Sequence, residues 1–375
     1  MNSIKISGGI PAFGEVTVSG DTESAISLIC FHLINKTDTS VVLDNIPRSP
    51  LFLKYSEFLS EIGCEIKWVS EKSIEFNPQV DFSNNLKKID KGLYKNLLLL
   101  LIPVVLSRHE ECIINKAAND EIKFLMSMGL QVNLTGGSFV LRKKASKGVR
   151  HIREDLELGF YQLLSYVLID SQTSDVDKDE DVKEYDDNRI NLIANIPNHP
   201  GKEYFKAKVN CNEFTMYAML PLITDGEVNI KGFSIEDTLD VLMDIDSIGG
   251  AYEVKDDEVR IWREFRQVTG VYDWVHKPVD HVAYFLLFFS LTQNKNVFVK
   301  TKKSPKILQL IKEINMAGGK IKAEENGNIL KIEVSPAGAF NAKKLSIIDV
   351  VDGGVKIALA AISGSVTKID NLKIL

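Results

Sequence analysis

Apolar and polar positions along this chain fall into a repeating pattern. Some stretches are apolar at nearly every position: Ser24 to Ile34, Tyr94 to Leu106, Thr215 to Ile223, His281 to Leu291 and Val355 to Ile362. A helix that is apolar all round predicts burial on every side. Each stretch leads through a short polar break into a strand: SVVLDNI, ECIIN, EVNIKGF, NVFVKT or SVTKIDN. A second set is amphipathic and ends in glycine before a charged, alternating strand. These are Leu51 to Gly63 before CEIKW, Glu121 to Gly129 before LQVNL, Glu236 to Gly250 before AYEV, and Pro305 to Gly319 before KIKAE. Glycine just past a last helical turn is a left-handed stop signal, and the alternation predicts half-exposed strands.

The unit is therefore apolar helix, strand, amphipathic helix, strand, strand, recurring about every 60 residues. A solenoid has that period, but a wholly apolar helix needs sheets around it. Two groups of three units, each with helices inside and sheets outside, satisfy that need. The third unit is the least regular: Glu157 to Leu168 supplies its buried helix, and a dense acidic run, Asp170 to Asp187, follows. Charge and lack of apolar residues make that run a solvated surface insertion; the glycine and terminal glutamate of a calcium loop are missing. Turn residues cluster from Asn198 to Lys206, where a domain break is expected.

Composition narrows the class. With 375 residues the chain can hold two domains with full cores, and 45% hydrophobic with 26% charged residues describes a globular protein. A net charge of -6 and the lack of an arginine-rich run argue against nucleic-acid binding. Cys30, Cys64, Cys112 and Cys211 have no metal-like spacing, and the first three lie in apolar stretches, as buried thiols in a reducing compartment would. No basic start precedes an apolar core, and the run Leu97 to Leu106 is far below the roughly 20 residues of a membrane span. A cytoplasmic protein with no membrane contact is expected.

The first 28 residues carry candidate chemistry. A strand ends at Gly8-Gly9, a turn spans Pro11 to Gly14, and a second strand, Glu15 to Ser19, stops at Gly20. Asp21, Thr22 and Ser24 can then cap a helix. A strand feeding a glycine and a helix N-terminus suits anion binding, although an ordinary strand-to-helix turn has the same pattern. The run Gly8, Gly9, Pro11, Gly14, Glu15, Val16, Val18, Ser19, Gly20 resembles the opening of the enolpyruvyl (carboxyvinyl) transferases, more closely their UDP-sugar, cell-wall branch than their EPSP synthase branch. Where that family has a lysine and a polar partner, this chain has Thr22 and Glu23.

The resemblance implies the α/β (α+β) inside-out barrel fold of the family, two domains built from βαβαββ units. It places residues 14–205 in the first domain and residues 1–13 with 206–375 in the second. After SVTKIDN only LKIL remains, so the sixth unit is expected to lack its amphipathic helix and last strands. The implied reaction moves the enolpyruvyl group of phosphoenolpyruvate to a substrate hydroxyl, for example of a UDP-sugar, and releases phosphate; no cofactor is implied. Cations must hold the phosphate and carboxylate, an acid must protonate the vinyl carbon, and a base must accept a proton.

Carried over residue by residue, the resemblance places Thr22 and Glu23 at the substrate-binding helix entrance. Lys95, two turns before Pro103, takes the place of an arginine, and equally reads as the solvated start of a buried helix. The loop that carries the family's acid-base cysteine is deleted between CIIN and KAANDEI, and the loop arginine falls on Lys116. Pro278 and Asp280 match a Pro-x-Asp motif whose aspartate is base or hydroxyl binder; the position also explains a helix cap. Lys306 stands for a carboxylate-binding arginine, and Lys356, in DGGVKIALA, for the arginine of a Gly-Asp-His-Arg turn, with Gly354 at its acidic position. Lysine keeps the charge of arginine without its bidentate geometry. The residues thus leave two readings: a divergent enolpyruvyl transferase, or an inactive relative that kept the fold as a binding or regulatory module.

Overall fold

A computed structural model describes residues 3–35, 40–61, 63–78, 88–90, 100–115, 122–123, 125–126, 130–143, 203–264, 270–277, 279–291, 296–342, 344–346 and 350–370. The chain divides into two compact units: Gly20–Lys208, and a discontinuous unit of Met1–Ser19 with Val209–Leu375. The two chain crossings thus fall at Ser19/Gly20 and Lys208/Val209. The stretches 157–168 and 170–187, and Gly129, lie outside the described residues.

In chain order the elements are β1 (Ser3–Ser7), β2 (Phe13–Thr17), α1 (Thr22–Asn35), β3 (Val41–Asp44), α2 (Pro50–Glu61), β4 (Ile66–Trp68), β5 (Ile74–Phe76), β6 (Lys88–Asp90), α3 (Leu101–Arg108), β7 (Glu111–Asn115), β8 (Leu130–Thr135), β9 (Ser138–Lys143) and β10 (Glu203–Lys206). There follow α4 (Cys211–Thr224), β11 (Glu227–Lys231), α5 (Ile235–Ser247), β12 (Gly250–Lys255), β13 (Glu258–Arg263), β14 (Gly270–Trp274), α6 (Val279–Leu291), β15 (Val297–Lys302), α7 (Pro305–Met316), β16 (Lys320–Asn326), β17 (Ile329–Ser335), β18 (Lys344–Ser346), α8 (Val350–Ile362) and β19 (Val366–Asp370).

The repeat seen in the sequence is a repeat of sheets. Among the described residues, the four-stranded sheets run β10-β3-β5-β4, β6-β7-β9-β8, β2-β11-β13-β12 and β14-β15-β17-β16. In each, a leading strand lies parallel to the next strand, which pairs with the second arm of an antiparallel hairpin whose first arm forms the edge. The β14-α6-β15-α7-β16-β17 segment is one continuous βαβαββ unit. The leading strand of the β11 sheet is β2, from the start of the chain. In the fifth sheet, β1-β19-β18, β18 lies parallel to β19 and β1 pairs antiparallel on its other side.

In the discontinuous unit the core is helical and the sheets wrap it. Residues Val282 to Phe289 of α6 are each 2% exposed or less, as an all-apolar helix requires. Helix α6 packs on α4 and α8. Side chains of β14 lie over it: Trp274 stacks on Phe289 at 5.7 Å between ring centroids, and Tyr272 meets the same ring at 4.9 Å. The outward sheet faces carry cross-strand charges, such as Glu227 to Arg260 at 2.7 Å and Glu15 to Lys231 at 2.8 Å. In the Gly20–Lys208 unit, Ile26, Leu28, Ile29 and Leu33 of α1 are fully buried, with Leu101 to Leu106 of α3 beside them. Burial pushes the Cys30, Cys64 and Cys112 thiols up to about 12, so these three are protonated packing groups, as their apolar settings predicted. Among the described residues no helix is long and apolar enough to cross a membrane.

The stops of α5 and α7 differ from expectation by one residue. Gly249 (φ 83°) and Gly318 (φ 121°) take the left-handed turn; Gly250 already begins β12, and Gly319 directly precedes β16. The second glycine of each pair is required by crowding. A Cβ on Gly319 would stand 2.7 Å from Cγ2 of Ile314 and 2.9 Å from its carbonyl oxygen; one on Gly250 would stand 2.5 Å from Cγ2 of Ile245. The same isoleucine-glycine contact thus recurs in two successive repeats. Gly319→Ala is expected to lower stability by about 1–3 kcal/mol, because the isoleucine's own backbone blocks relief; thermal melts of the variant check this.

A second expectation concerns acid. His32 is 1% exposed, its ring 4.3 Å from that of Phe205, and burial holds its imidazole down at about 4. The unfolded chain binds a proton here near pH 6.5, and the folded chain does not until about pH 4. The unfolded state therefore gains protons first, and His32 destabilises the fold as pH falls across that window, by about 3 kcal/mol at its lower end. Denaturant titrations of wild type and His32→Phe should diverge between those pH values, with the variant the less acid-sensitive.

Candidate functional site

Two helix entrances meet in the Gly20–Lys208 unit. Asp21 caps α1: its carboxylate accepts from Ser24 N at 2.7 Å and its carbonyl from Ala25 N at 3.0 Å. Thr22 and Glu23 are then the first and second helical residues, both half-buried. Ser49 caps α2, accepting from Phe52 N at 3.1 Å, with Pro50 at the first helical position. The Thr22 and Ser49 hydroxyls lie 3.0 Å apart, so the two N-termini stand side by side. Gly20 is needed because a Cβ there would drive into the Asn45 carbonyl. Asn45 itself is in the left-handed region (φ 57°) and donates from Nδ2 to the Ala207 carbonyl at 3.0 Å.

Paired helix entrances with hydroxyl donors attract anions. Glu23 changes the balance. Its charge suits the α1 dipole and opposes a phosphate at the same place.

In the discontinuous unit a network absent from the sequence reading sits at the start of α4. Asn210 caps the helix, accepting from Glu213 N at 3.1 Å. Glu213 Oε2 accepts from Ser19 N at 3.0 Å and from the Ser19 hydroxyl, and Oε1 accepts from Tyr217 Oη at 3.1 Å. Asn210 N donates to the Ser19 carbonyl at 3.0 Å. Burial and the neighbouring Glu213 charge push the Tyr217 phenol up to about 12. The signal was legible: Asn-x-x-Glu before an apolar run is a capping-box spelling. Here the glutamate reaches Ser19 instead of its own cap, so the last residue of the Gly8–Gly20 motif before the crossing is tied to α4.

The remaining candidates are placed as follows. Asp280 is the second residue of α6, just before the buried run Val282 to Phe289; its side chain lies outside the described residues. Lys95 and Lys116 lie outside them altogether. Lys306 is the second residue of α7, half-buried, with its N–H donating to the capping Ser304 hydroxyl at 3.2 Å. Lys356 on α8 is 2% exposed; its ammonium pairs with Glu313 of α7 at 3.2 Å and donates to the Ser346 carbonyl. Seven residues separate Lys306 from Glu313, about 10 Å along the axis of α7. The structure thus joins α7 and α8 through Lys356, and Lys306 stands at the other end of the same helix. A Cβ on Gly354 would strike Tyr284 Oη, so α8 has no room for the acidic side chain of the family turn. Thr22 and Glu23 belong to the other unit. Among the described residues no group of three or more histidine, cysteine, aspartate or glutamate side chains is arranged to hold a metal ion.

No protein-family model matches the chain. It is 24% identical over 284 residues to a UDP-N-acetylglucosamine 1-carboxyvinyltransferase of Wolbachia pipientis subsp. Culex pipiens (strain wPip), a match spanning 68% of this chain and 66% of that protein, just under two thirds of its length. Solved structures share the fold more completely. The enolpyruvyl transferase NikO from Streptomyces tendae superposes with a TM-score of 0.73 at 13% identity, over 100% of this chain and 94% of that one. EPSP synthase from Acinetobacter baumannii superposes with a TM-score of 0.64 at 12% identity, over 98% and 94%. The chain has the enolpyruvyl transferase fold, as the Gly8–Gly20 motif and the repeat implied.

The network at α4 makes its own prediction. Glu213→Ala leaves the Ser19 donors and the Tyr217 hydroxyl without their acceptor and should cost about 2–3 kcal/mol, against about 1 kcal/mol for Ser19→Ala. Combining the two should cost clearly less than the sum, since they share one interaction. Chemical denaturation of the two single variants and the double variant measures the coupling.

Proposed function

We propose that this chain, which has the enolpyruvyl transferase fold, is a divergent member of that group. It binds phosphoenolpyruvate and a hydroxyl-bearing substrate and joins them with loss of phosphate. The observation that carries the reading is the fold shared over almost the whole chain with enzymes named for this transfer. The resemblance of the opening motif and of the Pro278–Asp280 stretch to the family's motifs supports the same reading.

In this reading Asp280, at the mouth of α6, takes the proton of the attacking hydroxyl or holds that hydroxyl. The hydroxyl oxygen bonds to the substituted vinyl carbon as an acid, for which Lys116 is the candidate, protonates the terminal carbon. Loss of a proton from the new methyl group then expels phosphate and restores the double bond. Lys95 and Lys306 supply positive charge to the two anionic groups of phosphoenolpyruvate, and the α1 entrance with Thr22 supplies donors. Lys356 is engaged by Glu313 and Ser346, which supports a positioning role for it. Charged contacts of this kind are worth about 3 kcal/mol each in a transition state, so lysine for arginine and Glu23 for lysine predict slow turnover.

A second reading has one observation in its favour. Glu23 at the α1 entrance repels the phosphate that this fold would otherwise hold there, which suits a protein that binds without catalysing. Phosphate release on mixing the chain with phosphoenolpyruvate and either UDP-N-acetylglucosamine or shikimate 3-phosphate separates the two. Slow release, reduced at least about 100-fold by Asp280→Asn, is expected. Glu23→Lys should tighten phosphoenolpyruvate binding about tenfold, near 1.4 kcal/mol. No release with either acceptor, and no effect of Asp280→Asn, would leave the binding module.

A further inference from the structure

We infer that Asp244 and Lys277 are positioning residues for Asp280: their ion pair holds the turn from which α6 starts. Asp280 handles the substrate hydroxyl in the transfer proposed above, and the positioning role depends on that reading. Lys277 Nζ lies 3.0 Å from Asp244 Oδ2 on α5, and the two side chains are 28% and 11% exposed. Pairs on the outer sheet faces are wetter: in Glu227–Arg260 and Glu15–Lys231 every side chain is more than a third exposed. Such surface pairs contribute little, whereas breaking a pair that is shielded from water is costly.

The repeat singles out the position. Asp244 lies five residues before the left-handed Gly249, and Glu313 lies five before the left-handed Gly318. The same place before Gly63 holds Phe58, which packs on the core of the Gly20–Lys208 unit, and before Gly129 the sequence has Phe124. The next residue is buried each time: Leu59, Leu125, Ile245 and Ile314 are each 1% exposed or less. An acid thus stands in the discontinuous unit where the other unit has an aromatic residue. Each acid takes a lysine that follows the hairpin of its repeat. Asp244 takes Lys277, two residues before α6, and Glu313 takes Lys356, inside α8, at 3.2 Å with side chains 21% and 2% exposed. Two successive repeats therefore tie an amphipathic helix to the next apolar helix or to its approach.

Lys277 also closes the turn itself. Trp274 ends β14 with its ring 4.9 Å from that of Phe285 and 5.7 Å from that of Phe289. Lys277 N donates to the Trp274 carbonyl at 3.1 Å. The turn is thus pinned to α6 at one end by Trp274 and to α5 at the other by Lys277. Asp280 follows three residues later, in the first turn of α6. So short a link cannot absorb a shift at Lys277 without moving that first turn. Burial pushes the Asp244 carboxyl above its ordinary range and Lys277 draws it back, so the ammonium is what keeps a shielded acid charged there. A displacement of about 1 Å in a group that takes part in the chemistry can cost about 100-fold in rate.

The test compares the full chain with Asp244→Asn/Lys277→Gln, which removes both charges and orphans neither, and with Lys277→Arg, which keeps the pair. Hydrogen exchange is read at the amides of Ala283 and Tyr284, whose helical acceptors are the carbonyls of Val279 and Asp280. Exchange there should be at least about tenfold faster in the double variant, with Leu286 to Phe289 unchanged and Lys277→Arg like wild type. Phosphate release from phosphoenolpyruvate with either acceptor should show kcat at least about tenfold lower in the double variant, KM within about twofold, and recovery by Lys277→Arg. Asp244→Asn alone gives the same directions with smaller effects and carries the test if the double variant is too unstable. Unchanged exchange at Ala283 and Tyr284 overturns the proposal, and so does faster exchange with an unchanged kcat. If the wild type releases no phosphate, the transfer reaction fails instead, and the hold of the pair on α6 is still decided by exchange.

Discussion

The structure depends on one constraint: α6 has no polar face to give to water. From Val282 to Phe289 every side chain is buried, and each large apolar group removed from water contributes about 1.5–3 kcal/mol. Such a helix is stable only when surrounded. The aromatic residues of β14 on one side and helices α4 and α8 on others supply the surroundings. The amphipathic helices and polar outer strands follow from this, since a sheet that wraps a core needs only one apolar face. Equivalent strand orders in successive sheets are the same solution reached several times.

This is why the fold is legible in the sequence. Runs such as VAYFLLFFSL and LIPVVL can only be interior, and glycine stops mark where each amphipathic helix hands over to a hairpin. The stops were misread by one position at Gly250 and Gly319, for a physical reason: two adjacent glycines do different work. The first adopts a backbone conformation, and the second leaves space for an isoleucine methyl. Sequence shows two glycines and does not say which is which.

The site was less legible. A cap at the start of α1 is readable as one of Asp21, Thr22 and Ser24, and the structure selects Asp21. Glu213 was not singled out, although its place three residues after Asn210 has a known meaning; its true partner, Ser19, lies far away in sequence, and no local pattern shows that. The resemblance puts Lys356 at the arginine of a family turn, and the structure has its charge held by Glu313 and Ser346 in the interior. A lysine in an apolar run looks the same in sequence whether it faces a ligand or a carboxylate of its own fold. What distinguishes them is the neighbouring helix.

The swapped strands have a consequence for how the molecule is made. Strand β2 pairs with β11, and β1 with β19, so two early segments need partners that are synthesised much later. At about 10 residues per second, β2 waits some 20 s for its neighbour and β1 more than half a minute. Through that interval Ile4, Ile6 and Val16 are on open chain, and β11, once made, needs β2 to cover its edge. Neither a piece ending near Lys208 nor one starting at Val209 carries a closed set of strands. A single cut between Lys208 and Val209 therefore leaves β11 and β19 on one piece and the strands that pair with them on the other.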